Sequence, residues 1–194
     1  MNLALATDNG CALALTTEAG CALAIGPYPH FRYDGRGGGG VGRAGESLGG
    51  GWQALGFEPA SLAIPPLHWR TTRLLGCPLP PGLRIAIRPQ ELQGRWHPGS
   101  GAVELRFVAR FALLVAARPV APDLIVATEL ATHAVGGRRH RAEGTPLDGE
   151  GRGVLVGIAT VAPTGAGWVD RFLHLPDEAL AVLRCQLSPR NGCD

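Results

Sequence analysis

AVELRFVARFALLV, residues 102–115, alternates along its whole length. Val103, Leu105, Phe107, Ala109, Phe111, Leu113 and Val115 fall on one face, and Glu104, Arg106 and Arg110 on the other. Successive side chains of a β-strand point to opposite faces, so this reads as a strand with one face on a core. Helical spacing would scatter the same residues around a cylinder.

The neighbouring segments repeat the signal. LRIAIR (83–88) sets Leu83, Ile85 and Ile87 against Arg84, Ala86 and Arg88. DLIVATELATHAV (123–135) is β-rich, and GVLVGIATVAP (153–163) has a continuous apolar centre, the mark of a strand covered on both sides. AVLRCQL (181–187) directs Ala181, Leu183, Cys185 and Leu187 inward and Arg184 and Gln186 outward. Shorter strands are expected near 61–64, 67–75 and 92–96. PLPPG (78–82), HPGSG (97–101), RPVAPD (118–123) and APTGAG (162–167) supply turn chemistry between them. Only 166–175, with PDEAL (176–180) as an extension, reads as helix. Without crossover helices a parallel sheet is disfavoured. The expected fold is mainly β: an antiparallel sheet curved into a barrel or sandwich, with one short helix near the C-terminus and α+β as the alternative.

Upstream, NLALATDNGCALALTTEAGCALAIG (2–26) repeats every ten positions: Leu3, Leu13 and Leu23 align, as do Cys11 and Cys21. As a helix each copy would rotate by about 80° from the last and the leucine stripe would wander. As strands the pattern holds, with TDNG and TEAG as hairpin turns. Residues 1–34 are therefore expected to form a short β-meander or a disordered tail, open to self-association or a protein partner. GRGGGGVGRAGESLGGG (35–51) holds ten glycines in seventeen positions, the composition of a flexible linker. The expected division is repeat 1–34, linker 35–55 and globular β-rich domain 56–190.

Composition excludes several functions. The 194 residues are 45% hydrophobic and carry a net charge of +2, too little to indicate a nucleic-acid partner. All 18 basic residues are arginine, so there is no Schiff-base or P-loop lysine, and any anion site must use Arg or backbone N–H groups. Five cysteines without a C-x-x-C pair argue against a disulfide framework or zinc ribbon and fit a cytoplasmic protein. The apolar run FALLVAA (111–117) is far too short for a membrane span. No cofactor is expected.

Five constellations bear on chemistry. GVGRAG (40–45) matches G-x-G-x-x-G but lacks the strand before and the helix after that would seat a pyrophosphate. GESLG (45–49) resembles, over five residues, the nucleophile elbow of α/β-hydrolases; that resemblance would make Ser47 a nucleophile served by a downstream acid and histidine. HWR (68–70) and RWH (95–97) offer His68 and His97, which with His133 could hold a metal; in the other reading Trp69 and Trp96 enter the core and the His/Arg pairs cover the polar face. Glu129 and His133 share a strand face but lie about 13 Å apart, beyond acid/base reach. GGRRHRAEG (136–144) concentrates Arg138, Arg139, His140 and Arg141, a loop suited to an anionic group, unless Glu143, Asp148 and Glu150 neutralise it. The expected role is non-enzymatic binding or scaffolding. An apolar ligand would sit between strand faces with its anionic end on those arginines. A Ser47 hydrolase and a structural interaction module are the alternatives.

Overall fold

The computed structural model describes residues 11–190, and strand dominates it. The chain begins with β1 (Ala12–Thr17), β2 (Ala19–Ile25), β3 (Phe31–Asp34), β4 (Gly39–Gly49) and β5 (Trp52–Phe57), followed by short β6 (Leu67–His68), β7 (Thr72–Leu74) and β8 (Cys77–Pro78). A long hairpin, β9 (Leu83–His97) and β10 (Ala102–Val115), leads to β11 (Arg118–Pro119), β12 (Leu124–Ala131), β13 (Val135–Gly136) and β14 (Arg141–Ala142). Then come β15 (Arg152–Val161), helix α1 (Gly167–Phe172) and β16 (Asp177–Pro189).

The fold class expected from alternation is the one observed, and pairing refines it. Antiparallel ladders run β1-β4-β5-β9-β10-β12-β15-β16, and β16 pairs back to β1. The returning ladder closes the pairing into a ring, so its strands present no free edge where the ladders hold. β10 spans the same fourteen residues whose alternation announced it, with Val103, Leu105 and Ala109 buried. The thinnest seam lies between β12 and β15, where the paired rung is Ala131 with Val156 and Thr128 Oγ1 donates to the Ile158 carbonyl.

Two expectations about the N-terminal third need correction. TEAG is not a hairpin turn. β1 and β2 lie end to end along the same partner: Leu13–Thr17 oppose Pro189–Cys185, and Ala22–Ile25 oppose Val182–Ala179. The register slips by two residues between them, and the slack is taken up around Glu18–Gly20, where Gly20 has φ +84°. Turn-forming residues can also build a bulge, and here both flanking segments belong to one ladder. TDNG and the first copy of the repeat lie outside the described residues.

The glycine tract is not a linker either. Gly39–Gly49 is β4, clasped between β1 and β5. A Cβ at Gly39, where φ is +142°, would run into the Leu15 carbonyl, and one at Gly42 would stand 2.7 Å from the Phe57 ring. Glycine is needed there because neighbouring backbone and ring come close, not because the chain must flex. The boundary placed near Leu55 falls inside β5, and Leu55 is buried in the core. Strands from all three expected segments form one wall. The helix is also shorter than expected, because Asp177 onward belongs to β16.

The interior is filled unevenly. At the end where β10 begins, Leu13, Leu15, Leu55, Leu92, Leu105 and Leu155 pack into one cluster. At the other end the side chains are smaller and a cavity remains.

If close approach is why β4 is glycine-rich, Gly39→Ala lowers unfolding free energy by about 2 kcal/mol or more. Gly56→Ala, with no atom near its would-be Cβ, stays within about 1 kcal/mol of wild type. Chemical denaturation checks both. Equal, small effects would restore the linker reading.

Candidate functional site

The cavity is made by missing side-chain volume on two adjacent strands. On β15 and β16 the paired rung Leu155–Leu183 is followed by Gly157–Ala181 and Ala159–Ala179. Leucines close the barrel at the first rung, and glycine and alanine leave it open at the next two. Leu23 and Ile25 of β2, the cross-strand partners of Ala181 and Ala179, and Phe107, Phe111 and Leu113 of β10 complete the wall. Gly157 can hold no larger residue, since a Cβ there would lie 2.5 Å from the Glu129 carbonyl oxygen. The resulting space is about 380 Å³, within the roughly 300–1,000 Å³ range of small-molecule sites. A smaller space of about 70 Å³ continues inward past Leu23, Phe107, Phe111 and Ala181.

Helix α1 lies over the mouth. Val169 is buried beneath it, while Trp168 and Phe172 line the cavity and are still more than half exposed. Two attachments hold the helix. Tyr28 Oη, from the β2–β3 turn, donates to the Phe172 carbonyl at 2.6 Å, with the two rings 5.6 Å apart. At the other end Asp170 accepts from Thr164 N and Oγ1, both at 2.7 Å, and from Gly165 N. These donors pull the Asp170 carboxyl below the usual carboxylate range.

The chemistry available inside is narrow. Among the lining side chains Tyr28 and Thr128 carry the hydroxyls, and both donate to backbone carbonyls of the protein itself. No acidic, basic or thiol side chain lines the space. Nearby Cys21 and Cys185 are buried in the wall, and burial raises both thiols, Cys185 to about 12. They stay protonated at neutral pH and are poor nucleophiles. The arrangement can bind apolar matter by shape. It offers no nucleophile–base pair.

The residues singled out from sequence are placed elsewhere. Ser47 is exposed on β4 and pairs with Gln53, whose other neighbour, Trp96, stands at the filled end. Among the described residues its hydroxyl bonds no histidine or carboxylate, and it sits on no strand-to-helix elbow. The structure does not bring His68, His97 and His133 together as a metal site; no such cluster occurs among the described residues. His68 Nδ1 accepts from Arg70 N. His97 Nδ1 accepts from Ser100 N, so its Nε2 is the donor to the Gly50 carbonyl, and both ring nitrogens are used. His133 stands 3.9 Å from Glu104. Cys11 is disulfide-bonded, whereas Cys21, Cys77 and Cys185 are free.

The arginine loop is a clamp within the fold. β13 and β14 pair, and the turn between them grips the start of β16. Arg138 and Arg139 donate to the buried Asp177, while the N–H groups of Arg138, Arg139 and His140 converge on the Glu178 carboxylate. Arg141 is exposed on β14, and His140 is buried with its ring 6.3 Å from His30. None of the four lines the cavity. Sequence reasoning recognised the anion chemistry of this loop; its carboxylates arrive from forty residues downstream. The cavity residues carried a fainter signal: the small inward positions of GIA (157–159) and ALA (179–181).

Arg139, the Glu178 N–H and Arg138 together hold the Asp177 carboxyl down to about 2. A depressed carboxyl stabilises the fold above its unfolded value of roughly 3.9, and that contribution fades as pH falls toward the folded value. Asp177→Asn therefore lowers the melting temperature by roughly 3–6 °C at neutral pH. The gap between variant and wild type narrows below about pH 4 and closes near pH 2. Thermal melts across pH check this; a gap independent of pH would mean the ion pairs contribute nothing.

No family model matches the chain, and neither the curated proteins nor the solved structures contain a significant match to it.

Proposed function

We propose that this chain is a binding protein for a small apolar molecule, or for the apolar part of an amphiphile, held in the end of the barrel beneath α1. The observation that carries the reading is the cavity wall: apolar throughout, with its two hydroxyls already bonded to the protein's own carbonyls. A polar ligand entering such a site would lose its water without gaining partners. An apolar one gains in proportion to the area it hides. Helix α1, pinned by Tyr28 and Asp170, covers the bound molecule and is the element that must move for exchange. Arg138 and Arg139, occupied by Asp177, do not serve the ligand in this reading.

Binding of a fluorescent long-chain fatty-acid analogue tests the proposal. The wild-type chain is expected to bind it saturably, with the emission shift of an apolar environment. Ala159→Leu combined with Ala181→Leu puts leucine on both open rungs and weakens binding at least about tenfold, with the melting temperature held or raised because cavity is filled. Unchanged affinity in that variant would remove the cavity from the mechanism. Tyr28→Phe removes one hydrogen bond from the closed lid and speeds probe release about fivefold in stopped flow.

A further inference from the structure

Eight large apolar side chains are exposed among the described residues, and four of them gather at one opening. Trp168 and Phe172 on α1 are 55% and 59% exposed, Leu75 in the β7–β8 turn is 78% exposed, and Val120, just after β11, is 36% exposed. Each adjoins the cavity mouth. Trp168 and Phe172 line the cavity, Leu75 follows lining residue Leu74, and Val120 precedes lining residues Ala121 and Pro122. They project from separate turns around one opening, which is unlike the single interior stripe of a core.

Charge is sorted at the same end. Arg171 lies on α1, Arg118 on β11, and Arg32 and Arg73 face each other across β3 and β7. None of them makes an ion pair among the described residues. The acids nearby are mostly committed: Asp170 to Thr164 and Gly165, Asp177 to Arg138 and Arg139, and Glu178 to the backbone of the β13–β14 turn. Asp123 is the remaining one. The rim is thus apolar at its tips and positive around them.

We infer that the cavity mouth docks on a lipid bilayer with anionic headgroups, Trp168, Phe172, Leu75 and Val120 entering the interface and the rim arginines resting on the headgroups. A Trp ring is at home at the depth where acyl chain meets headgroup, and arginines near an anionic surface are attracted to it. A membrane also fits the cavity behind the rim, because an apolar molecule passing directly from bilayer to cavity avoids water. The inference builds on the apolar-ligand reading but is tested separately from it.

Co-sedimentation of the full chain with vesicles is the test, using phosphatidylcholine alone and phosphatidylcholine mixed with phosphatidylglycerol. The wild type is expected to pellet with the anionic vesicles and at least about tenfold less with the neutral ones. Two double variants, Leu75→Ser with Val120→Ser and Arg118→Glu with Arg171→Glu, are each expected to lose about tenfold or more. Neither Leu75, Val120, Arg118 nor Arg171 lines the cavity, so both variants should bind the soluble fatty-acid probe as the wild type does. The inference is overturned by no vesicle binding, by equal binding to both vesicle types, by variants that pellet like wild type, or by light scattering that shows the rim buried in a dimer. Vesicle binding without probe binding would sustain the docking face and overturn the cavity reading instead.

Discussion

Leu15 sits opposite Gly40 on one side and Leu187 on the other, and that double pairing of β1 turns an open sheet into a closed wall. Remove it and β4 and β16 both become edges with unpaired N–H and C=O groups. A closed ring also defines an inside. Alternate side chains of every strand converge there, so what the inside contains is set by how large those side chains are. The Gly39 approach to Leu15 belongs to the same closure, because a β4 carrying side chains at that position could not come near enough to pair.

Given a closed wall, side-chain size divides the molecule in two. Leucines on β1, β5, β9, β10 and β15 fill one end. The rungs Gly157–Ala181 and Ala159–Ala179 leave the other end hollow, and α1 with the β2–β3 turn spans it. A second buried cluster, Cys21, Tyr33, Leu67, Leu79, Ile87 and Ala109, packs next to the hollow and shares Leu67 and Leu79 with its lining. Proteins draw their moving parts from regions with few buried apolar contacts, and under the apolar-ligand proposal that part is α1, whose Trp168 and Phe172 are more than half exposed. The Asp177–Glu178 clamp stands at the start of β16, so the wall is anchored within a few residues of α1.

Much of this wall was legible one strand at a time. β10, the inward set of β16 and the single helix could be read from alternation and turn chemistry because those signals are local. The failures were all non-local. TEAG looks like a hairpin turn until β1 and β2 are seen to share β16. The glycine tract has linker composition, and only the position of Leu15 and Phe57 shows that its glycines are forced. Arg138 and Arg139 announce an anion, but the chain does not say that the anion is its own Asp177. The cavity was the hardest to see. A small residue in a strand means nothing until the register shows that its cross-strand neighbour is small as well.

The same sorting is hidden in the net charge. A total of +2 describes a nearly neutral chain, yet acids and arginines are not placed alike. Glu104 holds Arg95, Glu91 holds Arg106, and Asp177 holds Arg138 and Arg139, so these carboxylates are used along the walls and in the clamp. Arginines at the mouth are left with apolar neighbours instead. Exposed pairs of that kind add little to stability, so their positions are free to be set by what the surface meets. Fields act over about 10 Å at ordinary ionic strength, a range that resolves one end of this barrel from the other. The local excess at the rim therefore coincides with the opening of the apolar cavity.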